Sequence, residues 1–138
     1  MAVRVLIAHN SGITRDVIRH HFECGGCRVV AETGTVAQTI DIFRTTRPDV
    51  IMLDVGLRSA TGIDGLSLFR TIRRESPATS IVTVSASQSP DDQRIYRREG
   101  ALECVEEPFD SFALKRVWRR MSEVYPELKR TDEAASGR

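Results

Sequence analysis

The sequence predicts a three-layer α/β/α protein: one sheet of five parallel strands, each followed by a helix, with strand order 2-1-3-4-5. Three observations lead there. Short apolar runs rich in β-branched residues recur five times, each too short for a stable helix. Amphipathic helical patterns lie between them. The third run, Val50-Ile51-Met52-Leu53, is apolar on both faces, as a strand covered by helices on both sides must be.

The elements follow in order. Residues 3–8 form the first strand. Ile13, Val17, Ile18 and Phe22 make a broad helical stripe that stops at Gly25-Gly26. The second strand is 27–31. Val36, Ile40 and Phe43 fall at i, i+4, i+7, and Pro48 closes that helix after Arg47. After the third strand, 50–53, Leu68, Phe69 and Ile72 mark a helix ending before Pro77. Residues 81–85 are the fourth strand. Ser89-Pro90-Asp91-Asp92 reads as an N-cap, a first-turn proline and acids at the positive end of a helix dipole, with Gly100 as the stop. That helix holds Ile95, Tyr96 and three arginines, so it is the least buried one. Residues 102–105 form a weaker fifth strand. Leu114, Val117, Trp118 and Met121 then repeat the helical spacing. Residues 1–125 form the domain, and 126–138 a polar tail expected to be mobile.

Composition narrows the function. The chain has 138 residues, enough for one core. Lys plus Arg is 20 and Asp plus Glu is 19, which argues against a dedicated nucleic-acid binder. No apolar run approaches the ~20 residues that span a bilayer, and the start runs directly into a strand with no signal-peptide layout. Three cysteines make a secreted disulfide framework a poor fit. The expectation is a cytoplasmic protein that binds neither nucleic acid nor membrane.

In an open α/β sheet, a site lies beyond the carboxyl ends of the strands, where the strand order reverses. For order 2-1-3-4-5 that is between strands 1 and 3, whose ends carry His9-Asn10 and Asp54. A carboxylate ending a buried apolar strand is costly unless it is partnered or wet. Asp54 either serves a site or caps the following loop.

The residues here resemble a known family. Val5-Leu6-Ile7-Ala8 with Arg15 downstream, Pro48 to Asp54, Gly65-Leu66, Ile81 to Ala86, and Glu107-Pro108-Phe109-Asp110 stand in the order and spacing of the CheY-like receiver domain of bacterial response regulators. The resemblance covers roughly residues 3–123 and carries with it the flavodoxin-like fold. It implies that Asp54 is the phosphoryl acceptor of a phosphorelay and that the Ser85 hydroxyl contacts the phosphoryl group. It also implies a cis bond before Pro108, Mg²⁺ on an acidic pair, and a lysine on a phosphoryl oxygen. Such transfer is mainly positioning and charge neutralisation. The implied partners are a sensor histidine kinase or phosphotransfer protein and a downstream protein. A homodimer would form through helix 4, strand 5 and helix 5. Beyond self-catalysed transfer onto Asp54, the resemblance implies no enzyme activity.

Several positions depart from the family. The acidic pair is His9 and Asn10, the lysine position is Glu107, and the switch position, often aromatic, is Cys104. Mg²⁺ prefers oxygen ligands, so its binding is expected to be weak or absent; an imidazole tilts the site toward a transition metal. Two carboxylates facing each other at ~4 Å repel by about 4 kcal/mol at an effective dielectric of about 20. Either one holds a proton, or Glu107 turns outward to water or to Arg58, or His9 protonates and lies between the two acids. The loop 55–64 is longer than usual if Gly65 is the family glycine; if Gly62 is, the insertion moves into the third helix.

Other motifs carry less. Cys24-Gly25-Gly26-Cys27 sits at a helix C-terminus, the wrong pole for an activated thiol. His20, Cys24 and Cys27 offer three ligands for zinc without an evident fourth. The expectation is therefore a stand-alone receiver with Asp54 as acceptor and an altered Mg/Lys site. The alternative is a phosphorylation-independent interaction module, and a redox or metal sensor is the outside reading.

Overall fold

The structure, a computed structural model, describes residues 2–86 and 90–128. The elements are β1 (Arg4–Ala8), α1 (Gly12–Cys24), β2 (Arg28–Thr33), α2 (Val36–Thr46), β3 (Val50–Asp54), α3 (Gly65–Glu75), β4 (Ser80–Ser85), α4 (Pro90–Arg98), β5 (Glu103–Glu106) and α5 (Ser111–Val124). The strands form one sheet in the order β2-β1-β3-β4-β5, all neighbours parallel, as the alternation predicts.

The period of two along each strand divides the core. Val5 and Ile7 of β1 and Val50 and Met52 of β3 face a cluster with Ile18 and Phe22 of α1 and Val117, Trp118 and Met121 of α5. Leu6, Ala8, Ile51 and Leu53 point the other way, onto Val36 and Phe43 of α2, Leu68, Phe69 and Ile72 of α3, and Tyr96 of α4. The β3 strand is buried throughout because both faces are covered.

Local chemistry sets the helix ends. Ser11, Thr35, Asp64 and Asp110 cap α1, α2, α3 and α5 by accepting a backbone N–H three residues on. Gly25 ends α1 against the indole of Trp118, where a β-carbon would meet Cη2 at 2.1 Å. The α2 helix stops at Arg47, which is left-handed at φ 46° ahead of Pro48. Gly65 opens α3 so close to β3 that a β-carbon would meet the Val55 carbonyl at 2.1 Å.

Two strand bounds are corrected. The second strand runs to Thr33 rather than residue 31: β2 is an edge, so polar Glu32 and Thr33 pair with Ile7 and Ala8 without burying both faces. The fifth strand begins at Glu103, one residue late. Leu128, which falls in the expected tail, is 3% exposed within the core cluster of α1 and α5. The Ser89 cap and residues 129–138 of the expected tail lie outside the described residues.

Candidate functional site

A cleft of about 570 Å³ opens at the carboxyl ends of β1, β3, β4 and β5. Asp54, the last residue of β3, lies at its floor and is 6% exposed. Its Oδ1 accepts the Gly56 N–H at 2.8 Å, and its Oδ2 accepts the Asn10 N–H at 3.4 Å. These bonds keep the buried carboxylate partnered. They also include the loop-capping role the sequence allows, since Gly56 lies two residues on.

His9 follows β1 and is fixed by its backbone. Its N–H donates to the Thr33 carbonyl at 3.0 Å, and its carbonyl accepts Nη1 of Arg15 at 2.5 Å. The ring is buried, and its Nδ1 accepts the Ser11 N–H at 3.0 Å. An accepting Nδ1 leaves the ring proton on Nε2. That Nε2–H donates to Oε1 of Glu107 and lies 3.8 Å from Oδ2 of Asp54. His9 thus lies between the two acids. Glu107 does not turn to Arg58, whose carbonyl accepts the Val36 N–H beside the bridge to Thr35.

Ser85 ends β4 at the cleft wall, and its carbonyl accepts the Glu107 N–H at 2.7 Å. The Glu107–Pro108 peptide is cis. Asn10 turns its Nδ2 to the Gly56 carbonyl at 3.4 Å. Cys104 is buried beneath the surface of β5, beside Thr83 across the ladder, and does not line the cleft. Burial pushes its thiol up.

Three residues at the site escaped the sequence reading. Asp64 and Asp92 line the cleft with Asp54 and Glu107, and Tyr96 closes one side. Burial, then Asp92 and Asp64, push the Tyr96 phenol up to about 12. The signal for Asp64 was its place four residues before Leu68, where the apolar helical stripe begins. Among the described residues, no lysine or arginine lines the cleft.

The donor set does not fit the Mg²⁺ that the fold implies. A hard cation needs several oxygens turned inward. Here an N–H stands between the two facing carboxylate oxygens, and the Asn10 side chain offers at best a neutral oxygen.

The other cysteine motif does not assemble. Cys24 is exposed, 3.5 Å from Nε2 of His20, while Cys27 is buried in the core with its thiol pushed up to about 12 by desolvation. Among the described residues, no group of three His, Cys, Asp or Glu side chains could hold a metal ion. None of the described helices is long and apolar enough to cross a membrane.

A family model described as the response regulator receiver domain matches residues 5–119. A protein-glutamate methylesterase/protein-glutamine glutaminase of Hahella chejuensis is 39% identical over 88 residues, 64% of this chain and 24% of that protein. The transcriptional regulatory protein CseB of Streptomyces coelicolor is 33% identical over 110 residues, 80% of this chain and 45% of CseB. This chain therefore spans less than half the length of either relative. A crystal structure of a LuxR-family two-component response regulator from Aurantimonas sp. superposes with TM-score 0.77 at 21% identity, covering 100% of both chains. The CheX-CheY-BeF3-Mg complex from Borrelia burgdorferi gives 0.76 at 18% identity, with 88% of each chain covered. The match across β1 to α5 makes the family plain: the chain belongs to the response regulator receiver domains of two-component signalling.

Proposed function

We propose that this receiver domain acts as a phosphorylation-independent interaction module. The observation that carries the reading is that Glu107 shares the His9 ring with Asp54 in a cleft that no lysine or arginine lines among the described residues. A phosphoryl donor is an anion. One added pair of like charges at ~4 Å costs about 4 kcal/mol at an effective dielectric of about 20. That corresponds to about a thousandfold in rate. The backbone N–H groups at Asp54 offset about 1 kcal/mol each, so charge decides. The domain works by binding a downstream protein or a second copy across α4, β5 and α5. Its three unpaired cysteines suit a reducing, cytoplasmic compartment.

A second reading keeps Asp54 as phosphoryl acceptor, exchanging with a sensor kinase or phosphotransfer protein. It draws support from Asp54 and Ser85 ending neighbouring strands at one cleft. Beryllofluoride with Mg²⁺, followed by amide NMR, separates the two. Unchanged α4–β5–α5 signals support the module reading; saturable shifts there support the acceptor.

A further inference from the structure

We propose that His9 is the positioning residue of this cleft: held in its Nε2–H form by Ser11, it ties Glu107 beside Asp54 and shuts divalent cations out. The proposal rests on the phosphorylation-independent reading and deepens it by naming what sets the cleft's state.

Three observations converge on the ring. It is buried and tethered on both sides of its own backbone, to Thr33 of β2 and Arg15 of α1. Its Nδ1 is taken by a backbone donor that cannot turn away, because Ser11 is the N-cap of α1 and its hydroxyl in turn accepts the Thr14 N–H. Its Nε2 meets the carboxylate of a residue 98 positions away. The bond therefore joins the β1–α1 turn to the β5–α5 turn across the mouth of the sheet.

The fixed tautomer decides what the cleft admits. A second ring proton would sit on Nδ1 and face the Ser11 N–H, donor against donor. A metal on Nε2 would force the ring proton onto Nδ1 and meet the same conflict. In metal sites the second ring nitrogen ordinarily donates to an acceptor; here it receives a donor. A hard cation seeking only oxygens would have to displace Nε2–H from between Oδ2 of Asp54 and Oε1 of Glu107. One side-chain proton thus stands where receivers of the usual pattern gather charge. The cleft is held in one arrangement by the chain itself.

The test pairs a spectroscopic signature with a binding one. In protein carrying ¹⁵N-histidine at pH 7, the His9 ring should show a protonated Nε2 and a bare Nδ1. Calorimetric titration with Mn²⁺ should show no saturable binding to the wild type, nor to His9→Gln, whose amide keeps a donor toward Glu107. The double variant His9→Asp, Asn10→Asp removes the pin and adds two carboxylates, so it should bind Mn²⁺ saturably. A His9 ring protonated at both nitrogens, or saturable Mn²⁺ binding to the wild type that broadens the His9 signals, overturns the proposal. If the double variant fails to fold, the wild-type spectrum and titration still decide. Saturable Mn²⁺ binding to the wild type, with no adduct on Asp54 after incubation with acetyl phosphate, defeats the role of His9 alone; an adduct on wild-type Asp54 defeats the reading beneath it.

Discussion

The backbone N–H of Ser11 donates to Nδ1 of His9 at 3.0 Å, and that bond determines where the ring's proton points. It turns a histidine in an acidic-pair position into a donor aimed at Glu107. The two carboxylates that the sequence sets in opposition are thereby separated by a polar N–H.

Glu107→Ala should destabilise the fold by about 1–3 kcal/mol, because the buried His9 Nε2–H loses its acceptor and keeps only Asp54 at 3.8 Å. Glu107→Gln keeps an acceptor and removes a like charge, so it should be neutral or stabilising. Urea unfolding of both variants checks this. Equal losses would mean that the charge of Glu107, and not its hydrogen bond, holds the loop.

The two glycines flanking the start of α3 should respond differently. Gly62 is left-handed at φ 79° with open space around it, so Gly62→Ala should cost about 1–2 kcal/mol of backbone strain. At Gly65 the obstacle is the Val55 backbone, which cannot rotate aside, so Gly65→Ala should cost about 3 kcal/mol. Thermal unfolding of the pair ranks them, and the reverse order would contradict the packing of α3 on the β3 loop.

His21 predicts an acid-side loss of stability. Burial against Phe22 and Trp118, then the neighbouring His20, lower its pKa from 6.5. Its Nε2 has no hydrogen-bond partner among the described residues. The folded state therefore resists protonation more than the unfolded one does. Its contribution is intact above pH 6.5 and falls as the pH drops from there toward the lowered folded value. Urea midpoints measured down that range should decline, and His21→Gln should flatten the decline. An unchanged slope in the variant would assign the loss elsewhere.

Thiol labelling should proceed in two phases. Cys24 is exposed and should react in the folded protein, whereas Cys27 and Cys104, buried with their thiols pushed up, should react only on unfolding. Rapid labelling of Cys27 together with Cys24 would reopen the redox reading of that motif.

Much of the fold is legible in the chain because strand burial is local. The runs at β1 and β3 alternate between two helical layers, and that pattern needs no knowledge of distant residues. Asp54 is legible for the same reason, as a lone acid ending an apolar run. The His9–Glu107 contact is not, because it depends on how two turns 98 positions apart approach each other. The sequence leaves three fates for Glu107 open, and the packed turns show one outside them, a single Nε2–H of His9 lying between the two acids. Ser11 reads as a helix cap; that its N–H also orients the His9 ring becomes visible only once the turn is built. Leu128 is the one large aliphatic residue in a polar stretch, and much of the cluster that receives it, such as Val3 and Phe22, lies far away in the chain.

Asp54 should take no phosphoryl group beside Glu107, in a cleft that no lysine or arginine lines among the described residues. Intact-mass spectrometry after incubation with acetyl phosphate, with and without Mg²⁺, tests it most directly. The triple variant His9→Asp, Asn10→Asp, Glu107→Lys, which restores the family's charges, is the comparison. No adduct is expected on the wild type under either condition, and an Mg²⁺-dependent adduct is expected on the variant. An adduct on the wild type that disappears in Asp54→Ala would contradict it.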